Sequence, residues 1–158
     1  MNQSEIILHP GELAFKASPY KLRTILGSCV SITVWHPALK IGGMCHFVLS
    51  QPKEENKNDY KNDYRYGSVA LKELARLMKV KAKLNEYKVG VFGGSNMFPT
   101  KSALTVGQQN VAYAFQWVRK NGLQLNYEST LGEQSRILIM NIENGDISLR
   151  CSTKVEGV

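Results

Sequence analysis

The chain has 158 residues, of which 43% are hydrophobic and 21% charged, and its formal net charge is +7 at pH 7. These values are typical of one globular domain with its own core and argue against bulk disorder. No apolar run approaches the roughly 20 residues of a membrane-spanning helix, and the N-terminus has an acid where a secretion signal has basic residues. We therefore expect one domain over residues 1–158, located in the cytoplasm and without membrane insertion.

The positive charge indicates either an anionic partner or a solvated basic face. Its densest patch lies on a predicted helix, at Lys72, Arg76, Lys79, Lys81 and Lys83. No recognised nucleic-acid-binding motif accompanies this patch. We therefore favour a solvated face and expect no nucleic-acid partner, although the charge alone leaves that alternative open.

The cysteines and histidines do not follow a metal-binding pattern. The three cysteines lack CxxC spacing, which argues against a disulfide framework and a zinc site. The three histidines are far apart in sequence and have no ordered cysteine or acidic partners. His9 and His36 stand next to prolines in turns, and we predict both at the surface. No bound metal is expected.

The first part of the chain reads as short strands. Residues 6–26 are predicted to form two strands, with turns at His9-Pro10-Gly11 and Ser18-Pro19. Apolar residues then alternate with other residues from Val30 onward, which predicts a half-buried strand that ends at His36-Pro37. A further strand, from Ile41 to Leu49, follows after a short connection, and the two strands are expected to form a hairpin.

The second part alternates helices and strands. A polar loop at 51–65, predicted to be mobile, leads to a helix that Ser68 caps and that runs to about Leu84. The remaining predicted elements are a strand at 87–92, a glycine turn at 93–99, a helix at 106–121, and strands at 123–127, 136–142 and 146–151. Asn144-Gly145 between the last two strands predicts a hairpin.

This order of elements does not alternate as a βαβ fold would. We therefore predict an α+β fold, a single domain of layered, mixed or antiparallel sheets with two main helices packed on one side.

The strongest chemical signal is a cysteine and a histidine on the predicted hairpin. Cys29 follows the small residues Gly27 and Ser28, and His46 lies 17 residues later, so antiparallel pairing can bring the two together. A thiol is a useful nucleophile only as a thiolate, and a neighbouring histidine commonly holds it in that form. Cys45 is a poor rival, because side chains alternate along a strand and it points away from the His46 face. We interpret Cys45 as core.

Two neighbouring features fit a hydrolytic site. Backbone N–H groups at Gly27 and Ser28 can face a substrate carbonyl and bind the oxyanion. Thr24 has a hydroxyl that can orient an imidazole, the third role in a nucleophile–base–orienter set. Each residue alone is also compatible with ordinary packing. From the residues, the site is therefore a possible cysteine hydrolase and no more.

Five segments carry a family resemblance. In chain order the sequence resembles the chemoreceptor glutamine deamidase family, CheD, in HPGE (9–12), TILGSCVSITVWHP (24–37), GGMCHFVLS (42–50), VFGGSNMF (91–98) and VGQQN (106–110). The resemblance implies a hydrolase that converts glutamine side chains of methyl-accepting chemotaxis receptors to glutamate through a cysteine thioester. It also implies a layered α and β fold and no cofactor.

The resemblance assigns a role to each of three residues. The family cysteine falls on Cys29, the histidine on His46 and the threonine on Thr24, with Gly27 and Ser28 at the oxyanion site. The implied partners are the cytoplasmic region of the receptors and a CheC-type phosphatase. The alternative is a non-catalytic adaptor of the same fold that binds both. Gln109 stands where an arginine is often found, and this departure bears on partner choice.

Overall fold

The computed structural model describes residues 4–53, 60–97 and 104–152. Within these ranges the chain forms nine strands and two α-helices. In order they are β1 (Ser4–Leu8), β2 (Leu13–Ala17), β3 (Tyr20–Leu26), β4 (Val30–His36), β5 (Ile41–Cys45), α1 (Gly67–Lys81), β6 (Lys88–Gly93), α2 (Val106–Lys120), β7 (Leu125–Thr130), β8 (Arg136–Asn141) and β9 (Ile147–Cys151).

The strands form two mixed sheets. The outer sheet has the order β1-β3-β8-β9, and the central sheet has the order β2-β5-β4-β6-β7. One apolar cluster fills the space between the sheets, and a second joins the central sheet to α1 and α2. The layers are therefore outer sheet, central sheet and helices, with both helices on one side. The predicted α+β fold is confirmed.

The central sheet is covered on both faces, and this corrects the prediction for β4. Every residue of β4 and β5 is buried. Half-burial was wrong because an alternating pattern assumes that one face meets water, whereas here the helices cover one face and the outer sheet the other. The polar residues on β4 consequently need internal partners. Ser31, for example, donates its hydroxyl hydrogen to the Cys45 carbonyl at 2.5 Å.

The predicted hairpin of β4 and β5 is present. The two strands pair antiparallel, with Thr33 opposite Met44, and one further bridge joins Val30 to Phe47. β5 ends at Cys45 rather than Leu49, because the next backbone N–H turns to another partner. The amide of His46 donates to the Glu12 carbonyl in the β1–β2 loop at 3.1 Å.

Residues 6–26 contribute to three strands rather than two. Both predicted turns are present, but β2 between them belongs to the central sheet while β1 and β3 pair with each other in the outer sheet. Periodicity within a short segment does not reveal which sheet a strand joins, since that depends on partners distant in sequence.

The two helices begin differently. Thr105 caps α2, with its hydroxyl accepting from the Gln108 amide at 3.1 Å. α1 begins at Gly67 without a side-chain cap and ends at Lys81, so Ser68 lies inside the first turn and the predicted cap and end were wrong. A Cβ on Gly67 would lie 3.0 Å from the Phe47 ring, so tertiary packing places this helix start. The five basic residues predicted on its exposed face, and just beyond its end, are exposed.

The two histidines predicted at the surface differ in burial. His9 is exposed, as predicted, but His36 is only 5% exposed and its ring packs edge-on against Tyr87 at 5.3 Å between centroids. The sequence interpretation of His36 was wrong because Pro37 ends the strand without exposing its last residue. Of the predicted polar loop, residues 54–59 lie outside the described residues, as do residues 98 and 99 of the predicted glycine turn.

The tight cover of the central sheet makes Gly43 on β5 a test of the layer packing. A Cβ there would lie 2.7 Å from the Ala14 carbonyl oxygen and 3.2 Å from the Leu74 side chain. We expect Gly43→Ala to lower the free energy of unfolding by about 1–3 kcal/mol through overpacking. Urea unfolding measures the change. Ser148→Ala on the exposed side of β9 is the control, and an equal effect of both substitutions would contradict the packing described.

Candidate active site

A cavity of about 600 Å³ opens at the turn between β3 and β4. Cys29 and His46 both line it, so the structure brings the two predicted residues to one cavity. The other lining residues come from the β1–β2 loop, from β3 and from the segments around the start of α2: Pro10, Ile25, Gly27, Ser28, Ser95, Asn96, Met97, Leu104, Thr105, Val106 and Gly107.

Cys29 lies in a turn that the glycine segment after β6 supports. The amide of Gly94 donates to the Cys29 carbonyl at 2.9 Å, and the amide of Ser95 donates to the Gly27 carbonyl at 3.0 Å. Gly93 has φ +107°, and a Cβ on it would overlap the Cys29 carbonyl oxygen. The predicted glycine turn therefore allows its backbone to approach the cysteine turn closely.

The backbone amides next to the sulfur are available to a ligand. Within the described ranges, the N–H groups of Ser28 and Cys29 donate no hydrogen bond to another residue. Both residues line the cavity and are half-buried. Donors of this kind can bind an oxyanion that forms on a carbonyl attacked by the sulfur.

His46 is held at its backbone and at its ring. The Gly11 amide donates to the His46 carbonyl at 2.8 Å. The ring nitrogen Nδ1 lies 2.7 Å from Oγ1 of Thr24, and that hydroxyl lies 2.8 Å from the Leu8 carbonyl. The Thr24 hydroxyl has one hydrogen and donates it to the Leu8 carbonyl. Its oxygen therefore accepts a hydrogen bond from Nδ1–H of His46. This assigns the tautomer with the proton on Nδ1.

The second ring nitrogen is left without a partner. Nε2 of His46 is buried and makes no hydrogen bond to any described residue. An unsatisfied buried polar atom costs about 1–3 kcal/mol and is uncommon. Here the atom carries the free lone pair of a neutral imidazole, in a residue that lines the same cavity as Cys29. An unpaired neutral imidazole nitrogen of this kind can act as a base.

Burial sets the charge state of both groups. It lowers the pKa of His46 to about 4, and the exposed His9 adds to this effect while Glu12 opposes it. Burial also raises the pKa of the Cys29 thiol, and the residue's own backbone N–H offsets this in part. At neutral pH the resting pair is therefore a thiol and a neutral imidazole. The expected thiolate held by a charged histidine does not describe this resting state.

The other two cysteines differ from Cys29. Cys45 is fully buried on the opposite face of β5 within the helix-side core, as predicted, and burial raises its pKa to about 12. Cys151 is exposed on β9, at the far edge of the outer sheet. Of the three thiols, only Cys29 lines the cavity with His46.

Sequence reasoning assigned no role to Asn110, which the structure places behind the site. Asn110 is 1% exposed and donates to the Val48 carbonyl at 2.8 Å and to the Ser28 carbonyl at 3.3 Å. The available signal was a polar side chain on the buried face of a helix, next to Val111 and one turn before Ala114.

A second polar group missed by sequence reasoning is Arg136, which is 6% exposed. Its Nη1 donates to Oγ of Ser95 at 2.6 Å, and its Nη2 donates to the Leu131 carbonyl at 2.7 Å. This guanidinium fixes Ser95, and Ser95 in turn supports the cysteine turn through the Gly27 carbonyl. The site is thus supported from the outer sheet as well as from α2.

Exposed apolar side chains surround the cavity mouth. We call them the apolar rim. Leu104 and Ile25 are each 59% exposed, and they are joined by Val106 at 44% and Met97 at 38%. Contiguous exposed apolar residues around a concave site are typical of a surface that contacts another molecule.

The described residues contain no group of three histidine, cysteine or acidic side chains close enough to hold a metal ion. They also contain no helix with the length and apolar character that crossing a bilayer requires.

Comparison with known proteins identifies the family. A family profile described as "CheD chemotactic sensory transduction" matches residues 48–151. The chain is 40% identical to "Probable chemoreceptor glutamine deamidase CheD 2" of Albidiferax ferrireducens, over 90% of this chain and 84% of that protein. This chain belongs to the CheD family. The resemblance predicted from the motifs is confirmed.

Other CheD proteins from different lineages are similar over comparable lengths. "Probable chemoreceptor glutamine deamidase CheD" of Pseudomonas syringae pv. tomato is 39% identical over 90% of this chain and 86% of that protein. A protein of the same name from Methanococcus vannielii is 30% identical over 94% of this chain and 96% of that protein. Similarity to CheD proteins therefore extends over most of the chain, well beyond the motifs.

The neutral state of His46 predicts a pH dependence of stability. The unfolded chain binds the proton near the ordinary pKa of 6.5, whereas the folded protein binds it only near 4. Protonation therefore favours unfolding in this window. The His46 contribution is fully present above pH 6.5 and is lost as the pH falls towards 4, a change on the order of 3 kcal/mol.

Urea unfolding between pH 4 and 7 measures this slope. His46→Gln, which cannot titrate, is expected to flatten it. Ser148→Ala is the control, because Ser148 is exposed on β9 and the substitution removes no titratable group, so it should keep the slope of the unaltered protein. A slope that His46→Gln leaves intact would contradict the buried neutral imidazole.

Proposed function

We propose that this CheD protein is a chemoreceptor glutamine deamidase. It would hydrolyse glutamine side-chain amides of methyl-accepting chemotaxis receptors to glutamate and release ammonia. The observation that carries the proposal is the His46 ring, whose Nδ1 is fixed by Thr24 and whose Nε2 has no partner among the described residues, in the same cavity as Cys29. The names of two relatives described above point to the same activity.

The first half-reaction transfers the acyl group to sulfur. Nε2 of His46 takes the proton of the Cys29 thiol as the sulfur attacks the amide carbon of the glutamine side chain. The oxyanion that forms accepts hydrogen bonds from the amides of Ser28 and Cys29. The His46 imidazolium then protonates the amide nitrogen, the carbon–nitrogen bond breaks, and ammonia leaves a glutamyl thioester.

The second half-reaction uses water. Nε2, neutral again, takes a proton from a water molecule as its oxygen attacks the thioester carbon. The carbon–sulfur bond then breaks, the product glutamate carries the new oxygen, and the proton on His46 returns to the Cys29 sulfur. Thr24 keeps Nδ1–H paired throughout, so the ring does not need to reorient between the steps.

The neutral resting pair suits this sequence. A base with a pKa near 4 is unprotonated at neutral pH and therefore ready to accept the thiol proton. The negative charge from sulfur and the positive charge on the ring then develop only when a carbonyl carbon is present for the sulfur to attack. The N-terminal turn of α2 borders the cavity with Val106 and Gly107, and its dipole favours the negative charge that forms there.

The apolar rim is the surface that we assign to the receptor around the reacting glutamine. A cavity of about 600 Å³ admits a glutamine side chain, and the rim can bury apolar residues on either side of it. The substrate would be the cytoplasmic region of the receptors, so the protein would act in the cytoplasm. A CheC-type phosphatase remains the second partner that the family resemblance predicts.

The adaptor alternative lacks a specific observation in its favour. A docking protein needs an exposed surface, but it has no use for a buried base without a hydrogen-bond partner. Removal of that cost by an apolar residue would stabilise a pure adaptor. We therefore favour the enzyme.

The catalytic assignment predicts the effect of removing the thiol. Receptor cytoplasmic fragments incubated with the unaltered protein should lose glutamine amides, and Cys29→Ala should slow this conversion by roughly a thousand-fold or more. Mass spectrometry of receptor peptides detects the change from amide to acid. Cys151→Ala is the control, because Cys151 is exposed on β9 and does not line the cavity, and it should keep the full rate. Equal conversion by Cys29→Ala and the unaltered protein would end the assignment.

The docking assignment predicts a separate effect at the rim. Ile25→Glu places a charge where a receptor apolar side chain would be buried, and we expect a roughly tenfold higher KM, with kcat nearly unchanged. Ile7→Glu is a matched control, since Ile7 is 53% exposed on the same outer sheet but does not line the cavity. Steady-state kinetics on the receptor fragment distinguishes the two. An equal rise in KM for both variants would contradict the assigned surface.

A further inference from the structure

We infer that Asn110 is a positioning residue that holds the Cys29 turn and the His46 segment at a fixed separation. The inference rests on the proposed function, because it concerns the geometry of the same two groups. Asn110 lies on α2, within two helical turns of Val106 and Gly107. Those two residues line the cavity, whereas Asn110 does not.

One side-chain amide joins the two chain segments that carry the reacting groups. Nδ2 of Asn110 donates to the carbonyl of Ser28, the residue before Cys29, at 3.3 Å. The same nitrogen donates to the carbonyl of Val48, two residues after His46, at 2.8 Å. Both hydrogens of the amide nitrogen are thereby used, so the group has none left for a substrate. Asn110 therefore acts on the reaction through the residues that it holds.

The backbone alone does not make this connection. The last backbone pairing between the two segments is the bridge of Val30 and Phe47, with N–O distances of 3.0 and 3.1 Å. Beyond that bridge the segments separate, and the β3–β4 turn is supported mainly by the glycine segment after β6. Asn110 is the side chain that ties this turn back to the His46 segment beyond the last bridge.

The orientation of the amide is itself specified. Oδ1 of Asn110 accepts from the hydroxyl of Ser50 at 3.1 Å. This contact places the oxygen on one side and directs the nitrogen towards the two carbonyls. An aspartate of the same shape would place a carboxylate oxygen against the two carbonyl oxygens, and no hydrogen bond could form between these acceptors. The position therefore requires the N–H donors of an amide, and a side chain of equal shape without them cannot replace Asn110.

The burial of Asn110 argues against a packing role. Its neighbours on the helix face are apolar, and an apolar residue would fill the same space without the cost of burying an amide. A polar group that is fully satisfied in such a place specifies one arrangement of the segments around it. Misplacement of reacting groups by about 1 Å can reduce a rate roughly a hundred-fold, so a tie of this kind has a measurable effect on the chemical step.

The experiment compares Asn110→Ala, the isosteric Asn110→Asp and Ser50→Ala in receptor deamidation. For both Asn110 variants we expect kcat to fall roughly a hundred-fold while KM changes less than about three-fold, because the apolar rim is untouched. Rates are expressed per folded site, with the folded fraction of each variant taken from its urea unfolding curve. Ser50→Ala removes the hydroxyl that contacts Oδ1 of Asn110 at 3.1 Å and the Gln109 carbonyl at 3.3 Å, and it should lower kcat several-fold.

Asn121→Ala provides the matched control. Asn121 also donates from Nδ2 to a backbone carbonyl, that of Trp117 at 2.8 Å, but at the opposite end of α2. A merely structural role predicts that this variant and Asn110→Ala lose stability and keep kcat per folded site. The positioning role predicts that only the Asn110 and Ser50 variants lose kcat.

Each outcome decides the inference. An unaltered kcat per folded site in Asn110→Ala overturns it. If both Asn110 variants fail to fold, Ser50→Ala decides, and an unaltered kcat there overturns it equally. Failure of the proposed function looks different, because the unaltered protein would then not deamidate the receptor, or Cys29→Ala would do so equally fast. A dead Cys29→Ala together with a fully active Asn110→Ala rejects the positioning role alone.

Discussion

The hydrogen bond between Thr24 and Nδ1 of His46 is the interaction on which the site depends. The Thr24 hydroxyl gives its hydrogen to the Leu8 carbonyl, so it can only accept from the ring. That single constraint places the imidazole proton on Nδ1 and leaves Nε2 as a base. Leu8 lies on β1 and Thr24 on β3, which are both strands of the outer sheet. The outer sheet therefore determines which ring nitrogen of His46 carries the proton, although His46 itself follows β5 of the central sheet.

The site is built where the chain passes from one sheet to the other. β3 lies in the outer sheet and β4 in the central sheet, and Cys29 occupies the turn between them. Thr24 belongs to the first sheet and His46 follows a strand of the second. α2 then adds the cavity wall and the Asn110 amide from the third layer. All three layers are needed to bring the groups together, so the site is complete only when the two sheets and α2 are packed against one another.

Burial gives the site its resting state. The outer sheet and the β1–β2 loop remove His46 from water, which lowers its pKa to about 4, and partial burial raises the pKa of the Cys29 thiol. Both groups are therefore uncharged at neutral pH. This state has a cost in stability at Nε2, and the structure maintains it through contacts that hold Thr24 and the Cys29 turn. Such a cost is typical of a functional site rather than of a core chosen for stability alone.

The sequence by itself determined what local periodicity and turn chemistry decide. The β4–β5 hairpin, the Asn144-Gly145 hairpin, the opposite faces of Cys45 and His46, and the family follow from patterns within short segments. Only the tertiary structure decided the rest. Whether β4 has a wet face, why His36 is buried, which ring nitrogen is free, and what Asn110 holds all depend on groups far apart in sequence. Burial and hydrogen-bond pairing are properties of the assembled layers, and no single segment encodes its own neighbours.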